Sequence, residues 1–170
     1  ELFVADRTRR FVGRRNLLDR MHAFCEQDGE PSVMVVTGEP GCGKSALMGR
    51  FSEELMHTHP DWLLIPHFVG ASSSSTHLRQ TLRRLCMHLS RAINSPDEVP
   101  DDIKELVERL PELLNQIHEQ KKTVIILDAL NQFEKADDAH AMRWLPQNMP
   151  DNVRFVVSTL ADDVLDALEN

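Results

Sequence analysis

Residues 38–45 of the chain read Gly38-Glu39-Pro40-Gly41-Cys42-Gly43-Lys44-Ser45, the pattern G-x-x-x-x-G-K-S that is typical of a phosphate-binding loop. An apolar, β-branched run at 32–37 predicts a buried strand before it, and apolar residues recur at helical spacing from Ala46 to Leu55 after it. The loop therefore joins a strand end to a helix start, where backbone N–H groups and the helix dipole favour an anion. We expect residues 38–46 to surround the phosphates of a nucleotide, with Lys44 on the outer phosphates and the Ser45 hydroxyl on Mg²⁺.

The composition is that of one globular domain. The chain has 170 residues, of which 41% are hydrophobic and 27% charged, and its net charge is −8. The negative charge argues against general nucleic-acid binding, and the absence of an apolar run near 18 residues argues against a membrane segment. Three widely spaced cysteines predict an intracellular, cytoplasmic location. Because the chain begins at Glu1 rather than at a methionine, we expect a domain excised from a longer protein.

Further along the chain, predicted strands alternate with predicted helices. Strands are expected at 62–69, 123–128 and 153–158, and this alternation predicts an α/β doubly wound fold with a mainly parallel sheet. Pro66 predicts that the second strand lies at an edge of the sheet, because proline lacks the N–H that a ladder needs. Pro111 is expected to kink or split the helix around it, and Thr76 is the predicted N-cap of the preceding helix.

The third strand ends in an acidic residue that can complete a nucleotide site. Asp128 follows four apolar residues, and an acid at this point holds Mg²⁺ through water in many NTPases, although it can also be a simple strand-end cap. The residues that follow include the amides Asn131 and Gln132. An amide cannot accept a proton, so Gln132 can at best orient the attacking water, and we expect slow turnover.

Four motifs together resemble the STAND class of regulatory P-loop NTPases, and specifically its NACHT-type members. They are, in order, Phe11-Val12-Gly13-Arg14, the phosphate-binding loop, Ile125-Ile126-Leu127-Asp128-Ala129-Leu130 and Val156-Val157-Ser158-Thr159. The runs at 67–72 and 128–132 look most similar to nephrocystin-like proteins and to NACHT proteins with tetratricopeptide or WD repeats.

The resemblance implies a three-layer P-loop NTPase core whose fourth strand lies between the first and third. It implies one nucleotide-binding domain over 1–170, with an N-terminal segment and helix at 1–30 and a P-loop core at 31–170, while the family's lid and winged-helix elements lie beyond residue 170 or are missing. Val12, Gly13 and Arg14 would line the adenine, and Ser158 would sense the γ-phosphate. The implied function is an ATP/ADP-dependent, Mg²⁺-requiring switch in a larger signalling or scaffolding protein. Its protein partners would bind through flanking domains, and it would self-associate in a nucleotide-dependent way.

Three other functions remain open on sequence grounds. A small-molecule kinase would need an arginine-bearing lid, for which the predicted helix with Arg79 and Arg91 is the candidate. A degenerate scaffold would have lost nucleotide binding, and a nucleic-acid motor would need a basic surface. Cys42 is either a silent small residue or a reactive thiol, since it lies at a helix start beside Lys44.

Overall fold

The computed structural model describes residues 14–169, apart from the side chains of Ser73 and His118. Val12 and Gly13 of the predicted adenine-side motif lie outside these residues. The helices are α1 (Arg15–Glu26), α2 (Lys44–Thr58), α3 (Leu78–Ala92), α4 (Ile103–His118) and α5 (Asp163–Glu169). The strands are β1 (Val33–Val36), β2 (Leu63–Phe68), β3 (Thr123–Asp128) and β4 (Val153–Ser158).

The four strands form one parallel sheet in the order β1-β4-β3-β2. The predicted parallel sheet is therefore confirmed, as is the position of the fourth strand between the first and the third. β2 lies at an edge, as Pro66 predicts, and Pro66 pairs in register with Ile126 of β3. The register also brings the carboxyl ends of β1, β3 and β4 to one edge of the sheet, where the phosphate-binding loop begins.

The sheet separates two hydrophobic cores, which gives the predicted three layers. On one face, Val124, Ile126 and Val156 pack with the apolar sides of α1 and α2. On the other face, Ile125, Leu127 and their neighbours pack with α3, α4 and α5. Every residue of β3 and β4 is buried, because alternate side chains enter opposite cores.

α4 runs through Pro111 as one helix, so the expected split does not occur and the expected kink stays a prediction. An interior proline costs roughly 3 kcal/mol or more, since it removes one backbone hydrogen bond and crowds the preceding turn. The helix retains fully buried Leu106, Leu110 and Leu114 on one face, and each buried leucine contributes roughly 1.5–3 kcal/mol. An Asp102 cap, whose side chain accepts hydrogen bonds from two backbone N–H groups, adds to this.

The prediction that Thr76 is the N-cap of α3 is also wrong. A short 3₁₀ helix at Ser73–Thr76 precedes α3, and the residue at the N-cap position is His77. The Thr76 hydroxyl instead donates a hydrogen bond to Glu134 at 3.1 Å. Ser72 and Ser75 form a capping box that starts the 3₁₀ helix, and Thr76 is the last residue of that helix rather than the cap of α3.

The connection from β3 to β4 contains two short 3₁₀ helices, Leu130–Gln132 and Ala139–Ala141, and no α-helix. It begins with a left-handed residue, Ala129 (φ 61°), which turns the chain sharply after Asp128. Trp144 anchors the rest, because its ring is buried and its Nε1–H donates to the Ala139 carbonyl at 3.0 Å. The turn after Asp128 places Asn131 and Gln132 at the carboxyl edge of the sheet.

Within residues 14–169, none of the helices combines the length and the apolar character needed to cross a membrane.

Candidate nucleotide-binding site

The phosphate-binding loop has the backbone of an anion cradle. Gly41 (φ 74°) and Gly43 (φ 90°) are left-handed, a conformation that residues with a side chain rarely adopt. The loop is also closely packed, because a Cβ atom at Gly38 would lie 3.0 Å from the Cys42 sulfur. α2 starts at Lys44, directly after the loop, so its free N–H groups and its dipole face the cradle.

Lys44 and Ser45 lie in the cleft that the motif predicts. The Lys44 ammonium donates to the Gly38 carbonyl at 2.6 Å and to the Glu39 carbonyl at 3.2 Å. The cleft has a volume of about 410 Å³ and brings the loop together with the residues that follow β3 and β4. It is lined by Pro40, Gly41, Gly43, Lys44, Ser45, Ala46, Asp128, Ala129, Asn131, Gln132, Ser158 and Leu160.

Asp128 is almost fully buried, and a hydroxyl of the neighbouring strand holds it. The Ser158 hydroxyl donates to Asp128 Oδ1 at 2.5 Å, and the Ser158 Oγ itself accepts the N–H of Ala129 at 2.9 Å. The described hydrogen bond to the Asp128 carboxylate uses Oδ1, which leaves Oδ2 to bind a cation or its water. Carboxylate and hydroxyl oxygens are the ligands that Mg²⁺ prefers, so Asp128 and Ser45 fit that ion.

The Ser158 hydroxyl is therefore a positioning group for Asp128 in the structure. The sequence predicts a γ-phosphate contact for Ser158, and that role stays a prediction, although the residue does line the cleft. The bond to Asp128 was missed at the level of sequence. The contact depends on the parallel register, which pairs Leu127 with Val157 and so puts the next residues of both strands side by side.

The two amides after Asp128 also line the cleft, and the Gln132 amide lies at its β2 side. Its side-chain oxygen lies over Gly70, beyond the end of β2, so close that a Cβ atom on Gly70 would be 2.1 Å away. Glu134 is the next acidic residue along the chain after Asp128. Its carboxylate accepts a hydrogen bond from the Thr76 hydroxyl and lies 3.1 Å from the His77 ring. These contacts direct Glu134 toward the start of α3.

Arg14, the one described residue of the adenine-side motif, contacts the phosphate-binding loop itself. Its guanidinium donates to the Cys42 carbonyl, and its Nη1 would lie 3.8 Å from a Cβ atom at Gly43. The Cys42 sulfur lies 3.9 Å from the Lys44 ammonium and is half-buried beneath the loop. Arg14 thus lies beside the phosphate-binding loop, and its predicted contact with the adenine stays a prediction.

α3 is a packed helix of the core. Leu82, Leu85 and Leu89 are fully buried against α4 and the sheet. Arg84 lies on its outer side, where it donates to the Pro66 carbonyl at 3.3 Å. A lid must move as a unit, so this helix does not suit the kinase alternative.

A parallel sheet in this order, with a phosphate-binding loop after β1 and a buried Asp at the end of β3, defines a P-loop NTPase. The AAA ATPase domain family matches residues 10–157, and the chain belongs to that family.

Several curated proteins are similar to the chain. It is 35% identical over 155 residues to NACHT and WD repeat domain-containing protein 2 of Mus musculus. This match covers 84% of the chain and 9% of that protein. It is 30% identical over 128 residues to nephrocystin-3 of Homo sapiens, covering 74% of the chain and 10% of that protein. It is 27% identical over 146 residues to tetratricopeptide repeat protein 41 of Rattus norvegicus, covering 78% of the chain and 11% of that protein. The predicted resemblance to NACHT-repeat and nephrocystin-like proteins is thus confirmed, and the chain spans about a tenth of their length.

Among solved structures, the Orc1 protein of Aeropyrum pernix in complex with DNA has a similar fold. The TM-score is 0.51 at 19% identity, and the match covers 94% of the chain and 42% of that protein. At this identity the likeness supports the fold alone.

Proposed function

We propose that this domain is an ATP/ADP-binding switch of a larger signalling or scaffolding protein, with slow hydrolysis. The observation that carries the proposal is the composition of the cleft. The groups that grip a nucleotide are complete, namely the loop, Lys44, Ser45 and Asp128. The side chains that follow Asp128 into the cleft are the amides Asn131 and Gln132, which cannot accept a proton.

Each residue then has a defined part in holding and cleaving the nucleotide. The loop N–H groups and Lys44 would bind the phosphates, while Ser45 and Asp128 would hold Mg²⁺. Bound Mg²⁺ supplies charge neutralisation on the phosphate oxygens. In hydrolysis, the oxygen of a water forms a bond to the γ-phosphorus as the bond to the β–γ bridging oxygen breaks, giving ADP and phosphate. An amide can orient the water but cannot take its proton. The proton of the attacking water must therefore pass to phosphate or solvent, which makes turnover slow.

Protein partners are proposed from the relatives. Their names include WD and tetratricopeptide repeats, and the chain matches about a tenth of each. A domain of this size in such a protein suits a switch whose nucleotide state changes how the other domains bind their partners. The bound nucleotide would also control self-association. The net charge of −8 favours protein partners over nucleic acid.

Binding and single-turnover hydrolysis should be measured on the protein that carries this domain. We expect calorimetry to detect Mg²⁺-dependent binding of ATP and of ADP, with hydrolysis well below one per second. Lys44→Ala should weaken binding by at least about tenfold, which corresponds to about 1.4 kcal/mol. Lys135→Ala is the matched control, because Lys135 is exposed, pairs with Asp163 at 3.8 Å and does not line the cleft. Absence of binding in the wild type, or turnover of many per second, would contradict the switch.

A further inference from the structure

Gly70 and Gln132 fit together in a way that only glycine permits. Gly70 has a left-handed backbone (φ 81°), and a Cβ atom there would lie 2.1 Å from the Gln132 Oε1 and 3.3 Å from its Cδ. Contacts under 3 Å do not occur between such atoms, so any side chain at position 70 must displace the Gln132 amide. The hydrogen at Gly70 thus leaves a recess that the Gln132 side chain fills.

The recess lies on the side of the cleft away from the phosphates. Gly70 follows β2, one edge of the sheet, whereas the phosphate-binding loop follows β1, the opposite edge. Two strands lie between them, and neighbouring strands are about 4.8 Å apart. With its oxygen over Gly70, the Gln132 amide therefore lies at the β2 side of the cleft, whereas the loop that holds Lys44 lies at the β1 side.

The backbone around Gln132 is fixed to the same region by separate contacts. The Glu134 N–H donates to the Thr76 carbonyl at 2.9 Å, and the Thr76 hydroxyl donates to the Glu134 carboxylate at 3.1 Å. The Gln132 N–H donates to the Ala129 carbonyl at 2.8 Å. Because these bonds hold the segment, an added Cβ atom at position 70 would move the side chain of Gln132 rather than its backbone.

We propose that Gly70 is a positioning residue for Gln132, and that its recess keeps turnover slow by directing the amide away from the phosphates. This inference rests on the proposed function. A side chain at position 70 closes the recess and pushes the amide back over the cleft, where it can orient a water.

The test compares two glycine-to-alanine substitutions in the protein that carries this domain. Gly29 is the control, because it is also left-handed (φ 86°) but a Cβ atom there meets nothing within 4 Å. Both variants impose the same backbone strain, and only Gly70→Ala displaces a side chain. We expect Gly70→Ala to raise single-turnover ATP hydrolysis about fivefold and Gly29→Ala to leave it unchanged. The dissociation constant for ADP should change less than twofold in both.

A double-mutant cycle shows whether the effect passes through Gln132. In the Gln132→Ala background the obstructing atoms are gone, so Gly70→Ala should leave turnover unchanged. In that background, Gly70→Ala should lower the urea midpoint of unfolding by no more than Gly29→Ala does. In the wild-type background, Gly70→Ala should lower the midpoint by more than Gly29→Ala does. Equal turnover in Gly70→Ala and Gly29→Ala, or a rise that persists without Gln132, would overturn the positioning role alone. A wild type that binds no nucleotide would overturn the proposed function as well.

Discussion

His67 is a buried histidine whose neighbours favour its neutral form. The residue is 4% exposed, and its Nε2 lies 2.9 Å from the Thr81 hydroxyl and 3.3 Å from the Ser75 carbonyl. An Arg84 guanidinium nitrogen lies 3.3 Å from its Nδ1. This set fits a ring with its proton on Nε2 and with Nδ1 as acceptor. Burial lowers the pKa of His67 from 6.5 to about 4, and the charge of Arg84 adds to the effect.

This depressed pKa predicts a loss of stability in mild acid. Between pH 6.5 and 4 the unfolded chain binds a proton at His67 that the folded chain excludes, so stability falls with falling pH in that window and levels off below it. The loss at pH 4.5 relative to pH 7 should be about 2 kcal/mol. Urea unfolding of the wild type and His67→Gln at both pH values measures it, because the glutamine variant lacks this component.

His57→Gln serves as the control for this measurement, since His57 is exposed on α2. It should retain the full pH dependence of the wild type. Identical pH dependence in His67→Gln and in the wild type would show that His67 titrates normally in the folded protein.

Residues are predictable from sequence where one motif or one strand defines them. Lys44, Ser45 and Asp128 are of this kind, because the loop pattern and the apolar run before the acid each specify the chemistry locally. The contact between Ser158 and Asp128, and that between Gly70 and Gln132, join segments 30 and 62 residues apart. Such contacts depend on strand order and turn geometry, which no local pattern contains.

At the scale of elements, two cations fasten the end of α1 to the sheet. Arg154, which is 1% exposed at the start of β4, donates to the Phe24 carbonyl at 3.3 Å and to the Gln27 carbonyl at 2.7 Å. Lys122, just before β3, donates to the carbonyls of Glu26 and Gln27 at 3.1 and 2.9 Å. The last carbonyls of a helix lack internal partners and carry partial negative charge, so both cations stabilise this end.

Arg154→Met should loosen α1 and lower overall stability. The substitution keeps much of the apolar volume but leaves carbonyls of α1 without their charged donor, which should cost about 2–3 kcal/mol. Urea unfolding measures the total, and hydrogen exchange should show the largest increase in α1. Arg14 directly precedes α1 and contacts the phosphate-binding loop, so a looser α1 should also lower the affinity for nucleotide.

Arg20→Met is the matched control on α1, because Arg20 is exposed and has no partner among the described residues. It should change stability by less than about 0.5 kcal/mol. Equal effects of the two substitutions would show that Arg154 acts only through general charge.

The regular elements follow from hydrophobic patterning more closely than their ends and breaks do. β3 and β4 occupy the residues that their apolar runs predict, because a strand buried on both faces needs such a run. Thr76 gave a wrong expectation because a competing serine cap outweighed local preference, and burial in α4 kept the helix unsplit at Pro111. The turns between β3 and β4 had no periodic pattern to predict them.

At the scale of the whole molecule, the nucleotide site exists only in the folded sheet. Its parts come from the loop after β1, from Asp128 at the end of β3 and from Ser158 at the end of β4, with more than 80 residues between the first and second. An unfolded chain cannot assemble them. A ligand at this site therefore binds the folded state alone and stabilises the entire domain.

We accordingly expect ADP with Mg²⁺, at a hundred times its dissociation constant, to raise the free energy of unfolding by about 2.7 kcal/mol. Removing Mg²⁺ with EDTA should reduce this gain in the wild type. Asp128→Asn keeps an oxygen that can accept the Ser158 hydroxyl but loses the negative charge, so its gain should be as small with Mg²⁺ as without it. Asp61→Asn, at an exposed carboxylate outside the cleft, should behave as the wild type does. Thermal or urea unfolding of the three proteins, each with ADP and with or without Mg²⁺, measures these gains. If Asp128→Asn kept the full dependence on Mg²⁺, the ion would have to be held by other groups, and the site would be a phosphate cradle in which Asp128 serves only to join β3 to β4.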